Sequence, residues 1–176
     1  TICYRVDNKT TYALEGSIFI AGAGVQWLRD KMKLIDSDQD IEKILGSSID
    51  NGNVFIVPAF TGLGAPYWKA NARGIVSGIT RNTNWKNIVR AVIESVAYQS
   101  YDLFRAMKND GLKPKTIKID GGMAGNNWFA QFLSNILGIK VIRPMTYETT
   151  ALGVAFMAGY QIGIYNSLSS ISKKWK

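Results

Sequence analysis

The sequence contains no histidine. That absence excludes Ser-His-Asp and Cys-His nucleophile activation, histidine general bases and histidine metal sites, so acid/base work would fall to carboxylates, lysine or tyrosine. Cys3 is the only cysteine, which removes an internal disulfide, cysteine-based zinc spacing and a CxxC redox pair. No apolar run reaches the roughly 18 residues of a membrane span. The N-terminal stretch also lacks the basic start and apolar core of a signal peptide, so a soluble, cytoplasmic chain without membrane contact is expected. Acids are few, 13 against 21 Lys and Arg, for a formal charge of +8. The basic residues are spread along the chain, with only Lys173, Lys174 and Lys176 clustered; this favours a basic, solvated surface, and no nucleic-acid partner is expected. Repeats and low-complexity linkers are absent as well.

What is present is a chain of 176 residues, 47% hydrophobic, long enough to bury a core in one domain. It begins at threonine, as expected of a piece of something longer. Residues 1–6 and 11–20 are rich in β-formers around the turn-prone Asp7-Asn8-Lys9 and predict a hairpin. A helix follows from about Ala21 to Gly24 onward, with Val25, Leu28 and Met32 as its apolar stripe and Trp27 beside them. Residues 36–45 predict a shorter helix capped by Ser37 or Asp38, and 46–53 a polar loop. Residues 54–60 read as a buried strand interrupted by Pro58, followed by the loop TGLGAPYW and a short strand at 74–79. The longest helix is 84–109, where Trp85, Ile88, Val89, Val92, Ile93, Val96, Leu103, Phe104 and Met107 recur at three and four; Gly111 and Pro114 end it. Strand 116–120, helix 128–137 closed by Gly138, strand 140–143 and helix 149–163 then alternate with short joins, the pattern of a sheet flanked by helices.

Three stretches bear on chemistry. KIDGGMAGNNWFAQFL places Gly121 and Gly122 at the C-terminal end of a strand, where open sheets bind ligands and a glycine lets the backbone come close. Asn126 or Asn127 would cap the helix that follows and aim its free N–H groups at the same place. A tight strand-to-helix turn with ordinary capping is the alternative. AGAGVQW repeats the logic at Gly22 and Gly24, but Trp27 stands where a dinucleotide fold needs its third glycine; helix packing against the sheet is the competing account, with Gln26 a polar residue on the first turn. In TALGVAFMAG, Ala151, Ala155, Ala158 and Gly159 share one helical face and read as close packing. Asp120 and Glu94 are candidate carboxylates, with satisfaction of backbone donors the preferred role for both.

VPAFTGLGAPYW, GIVSGITRNTNWKNIVRAVIESVAYQS, IDGGMAGNNWFAQFLSNILG and ETTALGVAFMAG, in this order, resemble the C-terminal half of the FGGY carbohydrate kinases. Gly74, Val76, Gly78, Ile79, Asn87, Ile88, Ala91, Val92, Ile93 and Glu94 stand at the spacing of that family's signature, and the likeness extends from Tyr12 to Tyr165. The resemblance implies an α/β, ribonuclease-H-like, actin-type ATPase domain with a mixed sheet flanked by helices, here 1–176 as the nucleotide-side domain truncated at both ends and lacking its first strand. It implies that Gly122 and Asn126 line an adenosine site, to which Gly22 and Gln26 contribute from the AGAGVQ helix start, so that the two glycine loops become two walls of one pocket. ATP and Mg2+ arriving with the nucleotide are the implied cofactors. The glycerol-phosphorylating members fit best, which implies transfer of the ATP γ-phosphoryl group to glycerol, giving glycerol 3-phosphate, with water expelled by domain closure. No catalytic or metal-ligating residue is carried over to this chain, because the family's catalytic aspartate and glycerol-binding residues belong to the N-terminal half. A homo-oligomeric full-length enzyme is compatible with the resemblance.

The chain departs from the family pattern at YWKANARG, where Lys69 and Ala70 replace an acid and a proline. Its end at SKKWK precedes the closing helix that the family pattern implies. Three expectations follow: a kinase piece inactive alone, a stand-alone nucleotide- or partner-binding module, or the inactive remnant of a split reading frame. Another FGGY sugar kinase is the alternative within the enzymes.

Overall fold

The computed structural model describes residues 1–47, 50–146 and 148–174, without the side chain of Asp38. Asp38 as a helix cap, residues 48 and 49 of the expected polar loop, and Lys176 of the basic cluster therefore lie outside the described residues. The chain forms two compact units, Thr1–Lys113 and Pro114–Lys176.

The first unit opens with a hairpin. β1 (Ile2–Val6) and β2 (Lys9–Tyr12) pair antiparallel with Val6 opposite Lys9, and Asp7 and Asn8 take the left-handed φ values of 49° and 61° that suit a two-residue hairpin turn. The second strand stops at Tyr12, short of the expected residue 20. Ala13 N–H still donates to the Thr1 carbonyl at 3.0 Å. α1 (Gly22–Asp30), α2 (Asp38–Ser47) and α3 (Trp85–Asn109) follow, with β3 (Phe55–Val57) and β4 (Ile75–Ser77) paired antiparallel between α2 and α3. β3 ends at the residue before Pro58, which has no N–H to extend a ladder.

α3 is the spine of this unit. Asn84 caps it by accepting the Lys86 N–H at 2.9 Å, and the Asn87 side chain returns a bond to the Asn84 N–H, which closes a reciprocal box. Its apolar repeat then buries Val89, Val92, Ile93 and Val96 in a core shared with Leu28 of α1, Ile41 and Leu45 of α2 and Ile56 of β3. Each such side chain contributes about 1.5–3 kcal/mol on leaving water. Met32, expected on the α1 stripe, lies past the helix end and is exposed.

The second unit is built on a β-α-β crossover. β5 (Thr116–Lys118) and β6 (Lys140–Ile142) pair in parallel, Ile117 opposite Val141, and α4 (Asn127–Leu137) makes the crossover that parallel pairing requires. Gly138 ends α4 in the left-handed conformation at φ 65° and donates to the Ser134 carbonyl. α5 (Thr149–Gln161) and α6 (Leu168–Ser172) complete the unit, the latter a short helix that the sequence pattern does not announce. Ala124, Phe129, Leu133 and Ile171 are among its buried apolar residues. Among the described residues the strands form three two-stranded ladders, two antiparallel and one parallel. The packing expected of the small-residue face on α5 is realised at Gly159, where a Cβ would stand 2.7 Å from the Tyr165 ring; Ala151, Ala155 and Ala158 face solvent.

Candidate functional site

The glycine loop of the second unit leaves the sheet at the C-terminal end of β5. Ile119 N–H still donates to the Ile142 carbonyl at 3.0 Å, and the chain then turns away through Asp120. Gly121 takes φ 80° and ψ 179°, a conformation essentially reserved for glycine. Gly122–Gly125 form a single 3-10 turn, and Asn126 returns to extended geometry with its side-chain oxygen accepting the Phe129 N–H at 2.8 Å. Asn126 is therefore the cap of α4. Asn127, the other candidate, accepts instead from Arg143 Nη2 at 2.9 Å, while Arg143 Nη1 donates to the Ala124 carbonyl at 3.1 Å. At the loop's entry the Thr149 hydroxyl donates to the Asp120 carboxylate.

Gly121 and Gly122 are glycines for different reasons. Backbone conformation accounts for the first. Gly122 has no left-handed φ, is exposed, and would meet nothing within 4 Å if it carried a Cβ. Neither folding nor packing within its unit explains why that position is bare.

The AGAG stretch of the first unit divides in the same way. Gly24 is buried, and a Cβ there would stand 3.0 Å from Val92 Cγ1, so the close approach of α1 to α3 accounts for it. Gly22 faces solvent with nothing within 4 Å. Gln26 lies one helical turn further along, on the face that Gly22 shares and opposite the buried Gly24, Val25 and Leu28; it too is exposed. No side chain caps this helix, and the Gly24 N–H is taken by the Ala21 carbonyl at 2.9 Å. Gly22 and Gln26 are thus held together in the first unit, and Gly122 and Asn126 in the second.

The two candidate acids separate. Asp120 is exposed and engaged by the Thr149 side chain, not by backbone donors as the sequence suggests. Glu94 is 3% exposed and likewise held by side chains: Arg90 Nε at 2.7 Å, Asn51 Nδ2 at 2.8 Å and the Tyr98 hydroxyl at 3.3 Å. Burial, and after it the Glu94 charge and hydrogen bond, pushes the Tyr98 phenol above its ordinary value of 10. This cluster is an internal tie of the first unit. Among the described residues no group of three or more Cys, Asp and Glu lies close enough to hold a metal ion, and no helix is long and apolar enough to cross a membrane. Sequence reasoning names neither Arg143 nor Thr149. The available signal was topological: in a parallel pair, the residue after β6 emerges at the same sheet edge as the loop after β5.

Residues 3–162 match the FGGY family of carbohydrate kinases, C-terminal domain. The chain is 54% identical over 176 residues to a glycerol kinase of Alteromonas mediterranea, covering 100% of this chain and 36% of that protein. It is also 54% identical over 175 residues to glycerol kinase 1 of Pseudomonas aeruginosa, covering 99% of this chain and 35% of that one. Among solved structures, Plasmodium falciparum glycerol kinase with ADP aligns at TM-score 0.86 and 41% identity over 98% of this chain and 35% of its own. A ligand-bound xylulose kinase from Lactobacillus acidophilus aligns at TM-score 0.81 and 27% identity over 99% of this chain and 36% of its own. The chain spans just over a third of the length of these relatives.

Proposed function

Because the chain belongs to the FGGY family of carbohydrate kinases and carries that family's C-terminal domain, with its actin-type α/β fold, we propose that it is the nucleotide-side domain of an ATP-dependent glycerol kinase. In the whole protein the reaction is in-line transfer of the γ-phosphoryl group of ATP to a terminal hydroxyl oxygen of glycerol, with ADP leaving and the hydroxyl proton lost. Glycerol is favoured over a sugar by the 54% identity to glycerol kinases, set against 27% to a xylulose kinase.

The nucleotide assignment is carried by Gly22 and Gly122, two loop glycines that neither a left-handed backbone nor a neighbouring atom requires. A bare position at an exposed loop or helix start leaves room for a ligand to lie against the backbone. Gln26 stands on the same face as Gly22 and presents an amide; Asn126 stands four residues after Gly122 and has its amide nitrogen available. We assign all four residues to contacts with the adenosine part of the nucleotide. Magnesium is assigned to the substrate side, arriving as its complex with the nucleotide.

Phosphoryl transfer relies on positioning and charge stabilisation more than on covalent chemistry by the protein. This chain contributes the nucleotide's position. The carboxylate that orients the attacking hydroxyl and the groups that hold glycerol are assigned to the part of the protein outside these residues, and closure of the two parts around the substrates would keep water from acting as acceptor. The isolated chain is accordingly expected to bind ADP weakly at best and to transfer no phosphate. Calorimetric titration of residues 1–176 with ADP tests the site: binding that disappears in Gly122→Val supports it, and binding unchanged in that variant places the nucleotide elsewhere. Turnover by the isolated chain in a coupled assay with ATP, magnesium and glycerol would overturn the division of labour.

A further inference from the structure

We propose that Arg143 and Thr149 are positioning residues that hold the Asp120–Asn127 loop in the shape that receives the nucleotide. The inference rests on the assignment of Gly122 and Asn126 to the nucleotide site. Outside the bonds of the 3-10 turn itself, Ala124 N–H donates to the Gly121 carbonyl and Asn126 N–H to the Met123 carbonyl, at 3.0 and 3.1 Å, and Asp120, Gly121 and Gly122 are all exposed. A segment with two adjacent glycines has more unbound conformations to lose than any other, so an unsupported loop would be ordered only at the expense of ligand affinity.

The support comes from two residues that follow β6. Arg143 reaches the loop's exit with both terminal nitrogens, Nη1 to the Ala124 carbonyl at 3.1 Å and Nη2 to Asn127 Oδ1 at 2.9 Å, with Gly125 O a further 3.5 Å neighbour of Nη1. A planar fork can span two acceptors at a fixed angle; an ammonium cannot. Thr149, the first residue of α5, secures the loop's entry through its hydroxyl on Asp120. The 3-10 turn that carries Gly122 is thus gripped at both ends. Arg143 spends its donors on carbonyl oxygens and forms no ion pair with a carboxylate among the described residues.

Neither grip is needed for the elements around it. Asn126 caps α4 without Arg143, and the β5–β6 ladder runs from Thr116 opposite Lys140 to Lys118 opposite Ile142 without either residue. Weakening the grips should therefore loosen the loop and leave helix and ladder intact.

The test uses residues 1–176 and ADP, with amide hydrogen exchange as a second readout. Arg143→Lys, which keeps the charge and loses the fork, is expected to weaken ADP binding about tenfold, the equivalent of one or two hydrogen bonds. Thr149→Val is expected to weaken it severalfold and Thr149→Ser to restore it, a rescue that a purely packing role would not give. Both weakening variants should speed exchange at the Gly122–Gly125 amides while the α4 amides exchange as before. Wild-type ADP affinity and wild-type loop exchange in Arg143→Lys and Thr149→Val would overturn the proposal, and with Gly122→Val still abolishing binding they would leave the nucleotide assignment standing. Undiminished ADP binding in Gly122→Val would instead remove that assignment and this proposal with it.

Discussion

Asn51 donates from Nδ2 to Glu94 Oε2 at 2.8 Å across 43 residues of chain, fastening the turn before β3 to the buried flank of α3. Glu94 is also paired with Arg90, whose side chain is 12% exposed, so both charges lie largely out of water. Removing one member of such a pair strands the other. Glu94→Ala is expected to destabilise the first unit by about 3 kcal/mol, whereas Glu94→Gln, which keeps an acceptor for Arg90, should cost less. Urea unfolding followed by tryptophan fluorescence measures both; an alanine variant as stable as wild type would show that the tie holds nothing.

Tyr67 donates to the Asp102 carboxylate at 2.7 Å and so links the TGLGAPYW loop to α3. That hydrogen bond first, and burial and the Asp102 charge after it, raises the phenol above its ordinary value of 10. Since the folded-state value lies above the unfolded one, the link's stabilisation is fully present below pH 10 and is lost as pH rises through the raised value. Tyrosinate absorbance should show late-titrating phenols, Tyr98 among them, and one fewer of these in Tyr67→Phe. If wild type and variant titrate alike, the link does not persist in solution.

Gly22 and Gly24 invite opposite outcomes from the same substitution. Gly24→Ala would press a methyl group to 3.0 Å from Val92 Cγ1 and is expected to cost about 1 kcal/mol as α1 shifts off α3. Gly22→Ala meets nothing within 4 Å and favours helix, so its stability should be unchanged or slightly higher while ADP binding weakens. Thermal melting and ADP titration of the two variants separate packing from ligand contact. Equal ADP affinity in Gly22→Ala and wild type would remove Gly22 from the site.

Much of the fold was legible because burial follows periodicity. The repeat of Val89, Val92, Ile93 and Val96 located α3 and its core face, and Gly138 marked the end of α4. The overextended second strand was not legible, since alternation shows that a segment can pair and not which residues will stand opposite it; the ladder with β1 covers Lys9 to Tyr12 alone. Exposure of Ala151, Ala155 and Ala158 escaped for a related reason: small side chains permit close packing without supplying the surface that packs. At the candidate site, the sequence singled out Gly22 and Gly122 but could not separate them from Gly24 and Gly121, because the distinction rests on neighbouring atoms and on φ. Arg143 stands in none of the quoted motifs, and Thr149 stands in ETTALGVAFMAG with nothing there to mark it as a partner of the loop. Only the parallel pairing of β5 with β6 brings them to the loop.

Asn126 offers a prediction that uses both ends of one side chain. Its Oδ1 is committed to the Phe129 N–H at 2.8 Å, so the amide nitrogen is what remains to meet a ligand, as a donor. Aspartate is as good a cap as asparagine and its charge suits a helix N-terminus, yet it has no N–H to give. Asn126→Asp should therefore keep α4 at least as stable while ADP affinity falls about tenfold or more, by loss of the donor and repulsion of the anionic nucleotide. Asn126→Ala should lower both, with about 1 kcal/mol lost from the cap. Far-UV circular dichroism through thermal melting reads the helix and calorimetry reads the nucleotide. An aspartate variant that binds ADP as wild type does would confine Asn126 to capping and leave Gly122 without its neighbour in the site.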